Sequence, residues 1–210
     1  MPSLDTAFLI LDYAAVAVFG ASGALAAARR GHDIVTFAFF AAITGVGGGT
    51  LRDLLIDAPV FWIARPGYLL VCLAAAAAVW LAGRHTWRLS ALLWLDALGM
   101  AAYAVVGAAK ALSLGVHPIS AAVMGVMTAT FGGVLRDVVA GEPSVLLQRE
   151  IYVTAALLGA MVFVGLAALG VDRIAAGLAG FGAALALRSA AIVWGLSLPA
   201  FKGRNHSDPL

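Results

Sequence analysis

A chain of 210 residues that is 63% hydrophobic and only 11% charged carries less than half the charge of an ordinary soluble domain, and its mean hydropathy is +1.00. The net charge is +2 and no basic run is present for a phosphate backbone to follow, which argues against a nucleic-acid binder. The lone Cys72 can form no intrachain disulfide and has no metal-ligand spacing around it. What remains is an all-α integral membrane protein.

A bilayer core asks for roughly 20 apolar residues in helical form. Seven stretches approach that length: 7–28, 34–51, 67–83, 89–109, 118–135, 151–170 and 174–200. The first carries Asp12 and, with no Lys or Arg before it, reads as a membrane helix rather than a leader. The second carries Thr44, then the run Gly47-Gly48-Gly49-Thr50 leading into Arg52-Asp53. In the third, Tyr68 and Trp80 sit near the ends, where aromatic side chains anchor to the membrane interface. The fourth places Asp96, Tyr103 and Lys110 seven residues apart, a polar stripe that drifts only about 20° per step. Thr128, Thr130, Gly132-Gly133 and Arg136-Asp137 follow in the fifth, and Tyr152 opens the sixth as a further interfacial aromatic. The seventh holds Arg188, which needs a partner that the sequence does not name.

Shifted by 84 residues, the chain meets itself without a gap. Asp12 falls on Asp96, Gly23 on Gly107, Thr44 on Thr128, Gly48-Gly49 on Gly132-Gly133, Arg52-Asp53 on Arg136-Asp137, and Tyr68 on Tyr152. The implied units are 7–84 and 91–170, each of three spans, then a seventh helix over 174–200 and a cytoplasmic tail over 201–210. Three is odd, so the second unit is expected to enter the membrane upside down, as an inverted-topology repeat. Basic residues in the links sharpen the orientation. One set holds Arg29, Arg30, Arg84, Arg88, Arg149, Lys202 and Arg204, the other Arg65 and Arg173 with Lys110 at its margin. The positive-inside rule then places the N-terminus outside and the C-terminus in the cytoplasm of a bacterial inner membrane.

Consecutive glycines weaken a helix by about 1 kcal/mol each relative to alanine and bare carbonyls that must be buried in protein or line water. They also allow helices to pack closely. The duplicated Arg-Asp pairs cost roughly 2.5–3.5 kcal/mol per charge at membrane depth, so such groups usually face a cavity or one another. Thr44, Thr50, Thr128, Thr130 and Ser22 offer hydroxyls to a wet path, although each is also a candidate for bonding back to its own helix. No nucleophile–base pair, phosphate loop or metal cluster stands out, so neither an enzyme nor a bound cofactor is expected.

The segments GVGGGTLRDLL, PVFW, LDALG, GAAKAL, FGGVLRDVVAGE and REIYVTAALLGA resemble the bacterial branch of the trimeric intracellular cation channels, whose close relatives are sometimes labelled glycine transporters. The resemblance implies a homotrimer with one hourglass-shaped pore per subunit, formed mainly by the first, second, fourth and fifth spans. It implies kinks at Gly47, Gly48 and Gly49 and at Gly132 and Gly133, with K⁺ and Na⁺ as permeant ions. Lys110 matches a basic position linked to voltage response in animal members. Phe131 stands where the first glycine of the second triplet would be. On this reading Asp12, Asp53, Asp96 and Asp137 attract cations, while Arg52, Lys110 and Arg136 repel them unless paired or moved aside, which implies weak K⁺/Na⁺ discrimination and gating by these side chains. The alternative is a secondary transporter of a small solute such as glycine, which needs the same fold.

Overall fold

A computed structural model describes residues 4–82, 89–144 and 151–199. Among them run eight α-helices: α1 Leu4–Arg30, α2 Ile34–Leu55, α3 Phe61–Ala64, α4 Gly67–Ala82, α5 Leu89–Ser113, α6 Pro118–Ala140, α7 Val153–Ala168 and α8 Arg173–Trp194. Five of these, α1, α2, α5, α6 and α8, are long and apolar enough to cross a membrane; α4 and α7 are apolar but only 16 residues each. The basic residues Arg84, Arg88, Arg149, Lys202 and Arg204, together with the tail over 201–210, lie outside the described residues.

Local chemistry sets the ends. The Asp33 side chain accepts from the Thr36 N–H at 2.8 Å and starts α2. Asp172 accepts from the amides of Ile174 and Ala175 and starts α8. Gly141 (φ 66°) and Gly195 (φ 62°) stop α6 and α8 in the left-handed region, which a side chain disfavours. Three expected bounds are corrected here. The fifth stretch extends to Ala140, and the seventh stops at Trp194 rather than 200. The second stretch likewise runs on to Leu55, so Arg52-Asp53 and Arg136-Asp137 lie inside the C-terminal turns of their helices rather than beyond them. The link over 57–66 contains the single turn α3.

α1 packs on α2, α4 and α5; α5 packs on α6, α7 and α8; and α2 crosses α6. α2 and α6 begin 84 residues apart, at Ile34 and Pro118. Their crossing is reciprocal. A Cβ added at Gly48 would overlap the Thr128 carbonyl oxygen, and one added at Gly132 would overlap the Thr44 carbonyl oxygen. Both helices run unbroken through their glycines, which here serve backbone-to-backbone approach. The main apolar core joins α1, α2, α4 and α5 around Val16, Phe19, Leu25, Phe40 and Met100. A smaller one gathers Val105, Ala122, Phe163, Val164 and Ala176. Outward faces carry exposed Val35, Leu70, Leu81, Val123 and Leu178, side chains suited to hydrocarbon rather than water.

Candidate functional site

Two clusters of buried charge flank the α2–α6 crossing, one built on each Arg-Asp pair. In the first, Arg52 and Asp53 are 1% and 0% exposed. Asp53 Oδ1 accepts from Arg52 Nε at 2.8 Å and from Lys110 Nζ at 2.7 Å, and Asp53 Oδ2 accepts from the Phe61 N–H at 2.9 Å. One carboxylate therefore ties α2 to α5 and to α3. Asp12, nearby on α1, accepts from the Tyr68 hydroxyl at 2.6 Å. In the second cluster, Arg136 is the hub. Its Nε donates to Asp137 Oδ1 at 2.9 Å, and its Nη1 donates to Asp96 Oδ1 at 2.6 Å and to the Ser22 hydroxyl at 3.1 Å. That hub joins α6 to α5 and α1. Buried charges survive in a low-dielectric interior only when paired and hydrogen-bonded in this manner.

The polar stripe read on the fourth span acts as a unit. Asp96 bonds Arg136 on α6, Tyr103 donates to the Gly45 carbonyl on α2 at 3.1 Å, and Lys110 bonds Asp53 on α2. The threonines behave differently. Thr50, Thr128 and Thr130 each donate back to the carbonyl four residues earlier on their own helix, and Thr50 also accepts from the Trp62 indole N–H at 2.9 Å. The Thr44 hydroxyl is buried with no hydrogen-bond partner among the described residues. Gly47 and Gly49 face Leu135 and the Phe61 ring, and Gly133 faces Tyr152, Asp96 and Arg136. A cavity of about 860 Å³ opens between the first turns of α1, the α3–α4 region and the last turns of α5 and α7. Of the predicted site residues, Asp12 and Lys110 line it, alongside Phe61, Arg65, Tyr68 and Arg173. Lys110 keeps 29% of its side chain exposed there.

Three participants were missed or misplaced by sequence reasoning. Tyr68 and Tyr152 are buried rather than interfacial, and Phe61 backs the first cluster. Their repeat register, Tyr68 on Tyr152 in step with Asp12 on Asp96, was the available signal. Arg188 finds the Tyr152 ring, its Cζ 5.1 Å from the centroid. Among the described residues, no group of three His, Cys, Asp or Glu is placed to hold a metal ion.

The family model described as "Glycine transporter" matches the chain twice, over residues 9–84 and 93–168. A UPF0126 membrane protein of Vibrio cholerae is 38% identical, covering 95% of this chain and 85% of its own. The inner membrane protein YadS of Escherichia coli is 36% identical, covering 91% and 94%. Among solved structures, the TRIC trimeric intracellular cation channel orthologue from Rhodobacter sphaeroides superposes with a TM-score of 0.88 at 49% identity, covering 91% of this chain and all of that one. A second TRIC cation channel structure gives 0.84 at 30% identity over 97% of this chain. The chain belongs to the TRIC channel family. As a TRIC family member it is a multi-pass membrane protein, and its relatives are membrane proteins and channels rather than enzymes.

Proposed function

We propose that this chain is a passive channel for monovalent cations, K⁺ and also Na⁺, with one conduction path in each subunit of a homotrimer. The path runs between α1, α2, α5 and α6, hinged where Gly47–Gly49 meet Gly132 and Gly133. The observation that carries this reading is the pairing of every basic group at the crossing. Arg52 bonds Asp53, Lys110 bonds Asp53, and Arg136 bonds Asp96 and Asp137. Unpaired, these charges would repel a cation; paired, they leave a path that weakly favours cations without rigid coordination, and K⁺/Na⁺ discrimination is correspondingly slight. The cavity lets solvent reach both Asp12 and Lys110. Lys110 is the movable element, partly exposed on a long stem, and moving its charge through 100 mV is worth about 2.3 kcal/mol.

The reading extends to topology: two three-helix units, 7–84 and 91–170, opposed in the membrane about the reciprocal Gly48–Gly132 crossing, with α8 as the seventh span. The N-terminus is outside and the C-terminus cytoplasmic, because Arg29 and Arg30 cluster at one end. There they sit 3.8 and 3.5 Å from Glu142.

Planar-bilayer recording of the purified protein under a KCl gradient tests this. Discrete steps reversing near the K⁺ potential are expected, and Lys110→Gln shifts the voltage dependence or the open probability. A Lys110→Gln channel indistinguishable from wild type removes Lys110 from gating. The second reading, a transporter of a small solute such as glycine, has one observation in its favour, the description of the matching family model. The unbroken α2 and α6 weigh against it, since such transporters bind substrate at discontinuous helices. Silent bilayers with saturable glycine uptake into proteoliposomes would establish it instead.

A further inference from the structure

α8 has no counterpart in the repeat, yet it carries Arg188, a charged side chain only 2% exposed in the interior of the bundle. The place where it is buried is informative. Each half has a tyrosine in the same register, Tyr68 and Tyr152, beside the aspartate of its first helix. In the first half the face of the Tyr68 ring is covered by Tyr13, stacked at 4.0 Å with 6° between planes. The equivalent of Tyr13 in the second half is Ala97, which is too small to cover a ring. Arg188 approaches the Tyr152 ring instead, with Cζ 5.1 Å from the centroid. A guanidinium at that range is attracted by the ring's negative face, more strongly where water is excluded.

Tyr152 in turn stands at the second charge cluster. A Cβ built on Gly133 would lie 3.2 Å from the Tyr152 hydroxyl, 3.4 Å from Asp96 Oδ1 and 3.6 Å from Arg136 Nη2. All three polar groups converge on one bare glycine of α6, and the Tyr152 hydroxyl makes no hydrogen bond there among the described residues. We infer that Arg188 is a positioning residue for the conduction path. It holds the Tyr152 ring in the place that Tyr13 takes for Tyr68, and the ring so held packs the space beside Gly133 against which the Asp96–Arg136–Asp137 cluster closes. α8 is then part of the machinery rather than an appendage. The role rests on the channel reading for its functional consequence, while the contact itself does not.

Two measurements test it on the full-length trimer. In single-channel recording, Arg188→Gln changes open probability by about tenfold, the shift a desolvated cation–ring contact gives a two-state equilibrium, with unitary conductance unchanged. Tyr152→Leu removes the ring that Arg188 contacts. It changes open probability in the same direction, and the double variant is no worse than the stronger single one. Additive effects, or a Tyr152→Leu channel that gates like wild type, overturn the positioning role. Thermal unfolding in detergent reads the contact without any current. Arg188→Gln and Tyr152→Leu are expected to be non-additive in melting temperature, and strict additivity overturns the contact. Silent wild-type bilayers beside a non-additive melting cycle would refute the channel reading while leaving the contact standing.

Discussion

The two halves share a sequence register but not a bonding pattern. In the second, Arg136 Nη1 reaches Asp96 Oδ1 and closes a compact cluster. In the first, the equivalent atoms, Arg52 Nη1 and Asp12 Oδ1, are both buried with no hydrogen-bond partner among the described residues. Arg52 bonds Asp53, and Lys110, which has no counterpart in the first half's own helix, takes the other place on that carboxylate. Phe61 stands at the under-bonded cluster. Its ring packs against the Tyr68 ring at 4.6 Å and within 5.8 Å of Arg52 Cζ, over Gly49. The corresponding residue in the second half is the smaller Val145, outside the described residues. In the second cluster the guanidinium is bonded to both neighbouring carboxylates. The other is under-bonded and in contact with the solvent-reaching cavity, so of the two it is the one poised to rearrange.

The comparison can be broken most forcefully at its satisfied end. Arg136→Gln leaves Asp96 and Asp137 buried without their countercharge and is expected to cost roughly 3–5 kcal/mol, read as a large loss of melting temperature in detergent. Arg52→Gln costs less, because Lys110 still faces Asp53. Equal losses would mean that the clusters are not different in kind. Next in size, Gly48→Ala and Gly132→Ala each push a methyl into a facing carbonyl, for about 1–3 kcal/mol apiece. Similar values for the two support a reciprocal crossing, whereas Gly182→Ala, which meets nothing within 4 Å, is tolerated. Phe61→Val makes the first half resemble the second. A double-mutant cycle between Asp12→Asn and Arg52→Gln is expected to show coupling of about 1 kcal/mol more in that background than in wild type, and unchanged coupling would absolve Phe61. The smallest effect lies outside the charged clusters. The Thr36 amide holds the Asp33 carboxyl below the usual carboxylate range. Its contribution is present above the ordinary carboxylate pKa and fades as pH falls through the lowered value. Asp33→Asn should flatten that acid limb of a melting-temperature profile.

Much of this was legible in the sequence because duplication repeats its signal. The paired glycines and the paired Arg-Asp motifs stand out because the sequence carries each twice, and the heptad-spaced Asp96, Tyr103 and Lys110 each bond another helix. Helix ends were less legible. The apolar pattern of α2 and α6 stops at Leu51 and Leu135 because charge follows, but the hydrogen-bonded helix continues past that charge, its cost met by partners on other helices. Those partners were beyond reach. Arg136 and Asp96 meet from positions 40 residues apart and Lys110 and Asp53 from 57 apart, so the meeting depends on how helices cross. α4 and α7 are apolar on nearly every side, leaving no stripe to show which face turns inward and hence that Tyr68 and Tyr152 point into the bundle.

The Gly48–Gly132 crossing has a mechanical consequence. Two helices that touch mainly through bare backbone, with Leu135 seated at Gly47, have little side-chain interlock to disengage when one tilts against the other, so the contact works as a fulcrum. At 1.5 Å per residue, Arg52 lies about 6 Å along α2 from that point and Ile34 about 21 Å. A tilt of about 10° therefore displaces the charged cluster by about 1 Å, while the far end of the helix sweeps nearly 4 Å. Such leverage lets the far end of α2 move while the ion pairs beside the fulcrum stay almost in register.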